Sequence, residues 1–162
     1  MVKQILSTED VKKKLIRYCN FQERCKQEIE EKLNQFNLGP QENDIILKYL
    51  VDHNLVNEDR FSKIFTLSRI RYKKWGKEKI AHALRSKSIP ETLIEEAWKT
   101  INPEEYKKML YLLIKKKLGK IPGKFTVRKR DRIHRFLISK GYEDTLIQDT
   151  IREYFSCPIK IP

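Results

Sequence analysis

One spacing recurs three times along the chain and restricts its fold more than any other feature. In each copy an isoleucine is followed at the fourth position by leucine, at the eighth by a turn residue and at the ninth by another apolar side chain. The copies are Ile29, Leu33, Asn37 and Leu38, then Ile80, Leu84, Ser88 and Ile89, then Ile133, Leu137, Gly141 and Tyr142. Apolar residues four apart share one face of an α-helix, so each copy reads as an amphipathic helix closed by a turn. A second amphipathic stretch follows each turn, carrying Ile45 and Tyr49, Ile94 and Trp98, or Ile147 and Ile151, with the first copy two residues longer at Gly39-Pro40. No unit this small buries its apolar face alone, so the copies are expected to stack. The prediction is an all-α chain of three tandem three-helix repeats, about nine helices, in an elongated, curved array. The copies are bounded at 1–56, 57–102 and 103–162.

Local signals place the helices. Ser7 followed by Asp10 opens the first, through about Tyr18. The second is expected over about Gln22 to Phe36, ended by Asn37 in the left-handed conformation, and the third over about Gln41 to His53. Asn57 caps a long helix with an apolar stripe of Phe61, Ile64, Phe65, Tyr72 and Trp75, and Gly76 breaks it before Lys77 to Lys87. Pro90 and Asn102-Pro103 open two more, the latter apolar over most of its circumference through Tyr106, Met109, Leu110, Leu112, Leu113 and Ile114. Lys120-Ile121-Pro122-Gly123 is the clearest linker, followed by helices over about Thr126 to Lys140 and Glu143 to Phe155. No stretch alternates with the period of a strand.

A net charge of +13 with 35% charged residues predicts attraction to a polyanion: nucleic acid, an anionic membrane or an acidic protein face. No window is long and apolar enough to span a bilayer and the N-terminal MVKQILSTED has no signal core, so the cytoplasm is expected. Cys19, Cys25 and Cys157 form no CxxC pair and read as packing or surface thiols of a reducing compartment.

The charge is uneven. Residues 1–56 carry nine basic and nine acidic side chains, 57–102 eleven and six, 103–162 fifteen and seven. The densest stretch is Lys115, Lys116, Lys117, Lys120, Lys124, Arg128, Lys129, Arg130, Arg132 and Arg135, interrupted only by Asp131. An ordinary solvated surface intersperses the signs, so this set is a candidate contact to a polyanion or an acidic partner. A second candidate set, Arg69, Arg71, Lys73, Lys74 and Lys77, with Lys79, surrounds Trp75 and Gly76, where a plain soluble helix surface is an equal reading.

Helix, tight turn and helix invite a helix-turn-helix interpretation, but the last helix of every copy is acidic. It holds Glu42, Asp44 and Asp52, then Glu91, Glu95 and Glu96, then Glu143, Asp144, Asp149 and Glu153. Such helices are repelled by the phosphate walls of a groove, so nucleic-acid contact is expected through phosphates and without sequence preference. No catalytic constellation emerges, and no metal or cofactor is expected. His53, His82 and His134 lie apart, and there is no glycine-rich phosphate loop, HExxH or recognisable nucleophile. The acids Glu28, Glu30, Glu31, Glu58 and Asp59 fit helix starts and solvated faces better than a nuclease's metal site.

The run Leu55-Val56-Asn57-Glu58-Asp59-Arg60-Phe61-Ser62, with Arg69, Gly76, Lys79-Ile80, Leu84 and Lys87-Ser88-Ile89, resembles the RecX family of RecA regulators over roughly residues 8–155. The family's pattern is an apolar pair, two acids, a variable residue, Arg-Phe-Ala, a later Arg and Gly, then Ile, Leu and Lys-Gly-Ile. This chain departs from it at Asn57, Ser62 and Ser88. The resemblance implies three tandem three-helix repeats and a non-enzymatic modulator that binds RecA and its filament on single-stranded DNA; a monomer is expected. Its implied effect is to limit recombinase and coprotease activity in DNA repair, recombination and the SOS response. The alternative is a nucleic-acid-binding protein acting without RecA.

Overall fold

The computed structural model describes residues 7–120 and 125–156; the start of the chain, most of the expected linker, Lys124 and Cys157 lie outside the described residues. Among the described residues every regular element is helical: α1 (Thr8–Phe21), α2 (Lys26–Leu33), α3 (Pro40–Asp52), α4 (Glu58–Ser68), α5 (Lys77–Arg85), α6 (Glu91–Lys99), α7 (Pro103–Gly119), α8 (Val127–Lys140) and α9 (Asp144–Ser156). A π-helical turn, Arg69–Lys73, continues α4.

The start signals act as their chemistry requires. Ser7 Oγ accepts from the Asp10 amide at 3.2 Å, Asn57 Oδ1 from Arg60 at 2.9 Å, and Asn102 Oδ1 from Glu104 and Glu105. Pro40 and Pro103 each occupy a first helical turn, where a missing amide costs nothing. Each copy's turn residue is left-handed, with φ of 53° at Asn37, 58° at Ser88 and 85° at Gly141. The isoleucine and leucine of every copy are buried, with Leu33, Leu84 and Leu137 all at 1% exposure or less.

The described chain gathers into two compact units, one of residues up to 65 with 84–96, the other of 66–83 with residues from 97 onward. In the first, α3 packs on α1 and α2 around Val11, Leu15, Cys19, Ile29, Leu33, Ile46, Leu50 and Val56. In the second, α7 packs on α8 and α9, and Leu110, Ile114, Ile133, Leu137 and Ile147 are fully or almost fully buried. Burial pushes the Cys19 thiol up to about 11 and raises that of Cys25, as expected of packing cysteines.

Within each unit the start of one helix meets the turn that ends another. In the second unit, the Gly76 amide donates to the Lys140 carbonyl at 2.8 Å and the Glu78 amide to the Gly141 carbonyl at 2.9 Å. A Cβ on Gly76 would lie 2.3 Å from the Gly141 backbone, and one on Gly141 would lie 2.3 Å from Lys79. The first unit repeats the arrangement at matching positions through side chains: Ser88 Oγ donates to Gln27 Oε1 at 3.0 Å and Lys87 Nζ to Glu28 at 2.6 Å.

Three expectations need correction. Ile45 is 66% exposed, and it is Ile46 and Leu50 that are fully buried. The first copy therefore inserts three residues, not two: Ile46 follows Leu38 by eight positions, whereas Ile94 and Ile147 follow Ile89 and Tyr142 by five. The stripe of Phe61, Ile64, Phe65, Tyr72 and Trp75 is broken, because Ile64 is 48% and Tyr72 81% exposed. A π-helical turn holds more residues than an α-turn, so Ile70 takes the buried position and Tyr72 is rotated out. Finally, the apolar circumference of α7 is not buried throughout: Tyr106, Leu110, Tyr111 and Ile114 are buried along one side while Leu112 is 40% exposed.

Leu84→Ala and Leu137→Ala are each expected to cost about 2 to 5 kcal/mol in urea melts, as buried leucines that leave cavities do. The glycines give a sharper contrast. Gly76→Ala is expected to cost about 1 to 3 kcal/mol, because a side chain must be forced against backbone. Gly119→Ala, at the end of α7 with open space around it, is expected to be neutral or stabilising by up to about 1 kcal/mol.

Candidate functional site

The described basic candidates all belong to the second unit, but they do not form one surface. Four of them, Lys74, Lys116, Lys117 and Lys120, converge with Lys140 on a shallow depression of about 290 Å³ floored by Leu113 and Phe136. Lys117 Nζ lies 4.3 Å and Lys140 Nζ 5.9 Å from the centre of the Phe136 ring. Among the described residues no carboxylate lines this depression. Five lysines line one depression, two of them with ammonium groups over an aromatic ring, which concentrates positive potential there and attracts anions.

Local folding explains the convergence. The last turns of α7 and α8 supply Lys116, Lys117 and Lys140, with Lys120 just beyond α7, where cations are favoured by the helix dipole. Lys74 ends the π-helical turn in a left-handed conformation, φ 55°, with its ammonium on the Arg71 carbonyl at 2.5 Å. It lies two residues before Gly76, and Lys140 one residue before Gly141, so the bond between Gly76 and Lys140 draws the two lysines together.

The other candidates are elsewhere. Arg69 and Lys77 lie against indole rings, 5.5 Å from Trp75 and 5.4 Å from Trp98. Arg71, Lys73 and Lys115 are exposed. Along α8, Arg128, Arg130, Arg132 and Arg135 are exposed and Lys129 partly so. Asp131 tempers that face, accepting from Arg130 at 3.4 Å and, through its carbonyl, from Arg135 at 3.4 Å. Arg130 also lines a separate depression with Phe125, Asp131, His134 and Arg152. Lys124 lies outside the described residues. Lys140 and Phe136 were not among the sequence candidates; the available signal was a lysine at the position just before the repeated turn, which Lys87 shares in the second copy.

The centre of the second unit is a buried aromatic group. The Tyr106 hydroxyl donates to Glu143 at 2.8 Å and accepts from the Lys77 amide at 2.9 Å, while its ring stacks on Tyr142 and meets Trp98 edge-on. Burial, then the Glu143 carboxylate, push the Tyr106 phenol far above its ordinary range, so it remains a fixed donor. His134 is paired with Asp144, and His53 and His82 are exposed. Among the described residues no group of three or more His, Cys, Asp and Glu side chains is arranged to hold a metal ion. Glu28 is engaged by Arg24 and Lys87, and Asp59 by Lys63. None of the described helices is long and apolar enough to cross a membrane.

Residues 57–97 match the family model described as RecX, second three-helix domain. Regulatory protein RecX of Prosthecochloris aestuarii is 29% identical over 153 residues, covering 91% of this chain and 97% of that protein. The chain is similar to regulatory proteins named RecX over most of its length. Its relative from Clostridium beijerinckii, also a regulatory protein RecX, is 25% identical over 138 residues, and the chain spans 64% of that protein's length. A second clostridial RecX, from Clostridium botulinum, is spanned over 61% of its length. The crystal structure of RecX from Lactobacillus salivarius shares the fold, with a TM-score of 0.81 over 90% of this chain and 95% of that one at 20% identity.

The family motif is structural in this chain. Arg60 bonds Glu23 at 2.8 Å and the Asn54 carbonyl at 2.9 Å, and Phe61 is buried. Each departure from the pattern is accommodated: Asn57 caps α4, Ser62 is buried with its hydroxyl on the Glu58 carbonyl at 2.5 Å, and left-handed Ser88 bonds Gln27.

Replacing Lys74, Lys117 and Lys140 together by Glu is expected to lower the salt at which the protein leaves a heparin column, and to lower it more than replacing Arg128, Arg132 and Arg135. Unchanged thermal melts check that the fold survives, as surface substitutions change stability by only about 0.5 kcal/mol each.

Proposed function

We propose that this protein is a regulator that binds the RecA recombinase and its filament on single-stranded DNA and restrains recombinase and coprotease activity. Similarity to relatives named regulatory protein RecX carries the reading. The lysine-lined depression supports it physically, since a nucleoprotein filament presents phosphates and acidic protein lobes to whatever binds it. The reading is of a binding protein, not a catalyst. The three copies, 1–56, 57–102 and 103–162, act in it as structural repeats, the last two supplying Arg69, Arg71, Lys73, Lys74 and Lys77 and the basic residues from Lys115 to Arg135 to the contact.

A second reading, binding to nucleic acid without RecA, is favoured by one observation: the charged residues described around the depression are all lysines, which need no protein partner to attract phosphate. The two are separated by measuring DNA-dependent ATP hydrolysis and filament length of RecA from the same organism with and without this protein. Shortened filaments and lowered hydrolysis at protein concentrations well below those of the DNA sites are the expected outcome. Suppression only when the protein saturates the DNA sites speaks for the second reading.

A further inference from the structure

Tyr72 is 81% exposed, and among the described aromatic residues only Phe21 is comparably open. Phe21 belongs to the first copy, whose charges balance; Tyr72 lies between Arg71 and Lys73, with Lys74 next. A large aromatic ring held in water contributes nothing to the core. Its placement is imposed by the backbone: the π-helical turn buries Ile70 and turns Tyr72 outward, and the turn ends on a non-glycine residue in the left-handed region. Insertions of this kind within helices are concentrated at functional positions.

We propose that Tyr72 is a stacking platform for a base of single-stranded nucleic acid, whose phosphates continue from Lys74 into the depression of Lys116, Lys117, Lys120 and Lys140. The two parts share Lys74, which belongs to the π-helical turn and lines the depression. An exposed ring bordered by cations matches a single strand, which offers unstacked base faces and phosphates together. A duplex keeps its bases stacked inside and offers only phosphates, so the ring adds nothing to duplex binding. The acids of α9, Asp144, Asp149 and Glu153, are exposed in the same unit and oppose insertion into a groove. An acidic protein lobe would use the lysines but has no particular need of the ring.

The inference deepens the function proposed above and rests on it for the biological source of the strand. It is tested on the whole protein without RecA, by fluorescence anisotropy with a labelled oligothymidylate and with a duplex of equal length. Tyr72→Ala is expected to weaken single-strand binding by about tenfold or more, the size of losing one stacked base, with duplex binding unchanged. Tyr72→Phe keeps the ring and is expected to bind as the parent does. Lys74→Gln with Lys117→Gln is expected to flatten the log-log salt dependence on single strands by about 0.7 per lost phosphate contact. Undiminished single-strand binding by Tyr72→Ala, or an equal loss on duplex, overturns the proposal. If Tyr72→Ala keeps its DNA affinity but no longer restrains RecA, Tyr72 is a protein contact and the regulator reading survives alone. If the parent protein leaves RecA untouched while Tyr72→Ala still loses single-strand affinity, the regulator reading falls and the stacking site stands.

Discussion

The contact between Gly76 and Gly141 is the constraint on which the second unit depends. The first amides of α5 need acceptors and the last carbonyls of α8 need donors, and each set satisfies the other through the Gly76 to Lys140 and Glu78 to Gly141 bonds. The joint requires two glycines for different reasons: Gly76 because the opposing backbone occupies the space of a Cβ, Gly141 because it is also left-handed. The first unit makes the same joint between α2 and the turn after α5, but with Gln27, Glu28, Lys87 and Ser88 reaching across by side chains. There the contact runs through side chains, and a left-handed serine occupies the turn. The same joint therefore allows different residues in the two units.

The helical signal was legible because it is local. Leu33, Leu84 and Leu137 repeat the same spacing, and Asn37, Ser88 and Gly141 all prove left-handed although only one is glycine. The misreadings occur where the helical period is interrupted. At Gly39-Pro40 the choice between Ile45 and Ile46 depends on the length of an insertion, and neighbouring apolar residues leave it open. At Arg69–Lys73 a wider turn shifts the face of everything after it, and Tyr72 fits an α-helical stripe in sequence while standing in water in the fold.

Charge was legible in amount and not in arrangement. A linear count finds the run from Lys115 to Arg135, yet the fold divides it: Lys116, Lys117 and Lys120 turn to the depression, while Arg128 to Arg135 follow α8 with Asp131 among them. Lys140 stands alone in the sequence and Lys74 is far from α7. The Gly76 to Gly141 joint brings Lys74 to Lys140 and the packing of α7 on α8 brings both to the α7 lysines, so no window of sequence could have assembled the set. The motif of the second copy shows the converse. Its residues are adjacent in sequence, and they cap, pair and pack instead of facing a partner.

Five lysines in one depression repel one another, and the fold has to offset that before any ligand arrives. It does so with helix ends. Lys116, Lys117 and Lys120 lie at the C-terminal end of α7 and Lys140 at that of α8, where the helix dipoles place partial negative charge. The Phe136 ring presents its electron-rich face to Lys117 and Lys140. Both effects are weak and spread out, enough to tolerate the cations without pairing them as a carboxylate would. A phosphate bound here therefore displaces no salt bridge within the depression, and its attraction is not spent on breaking one. The rule that favours acids at helix starts and lysines at helix ends thus places Asp144 of α9 and the lysines of α7 and α8 apart, and leaves the basic depression open to a partner.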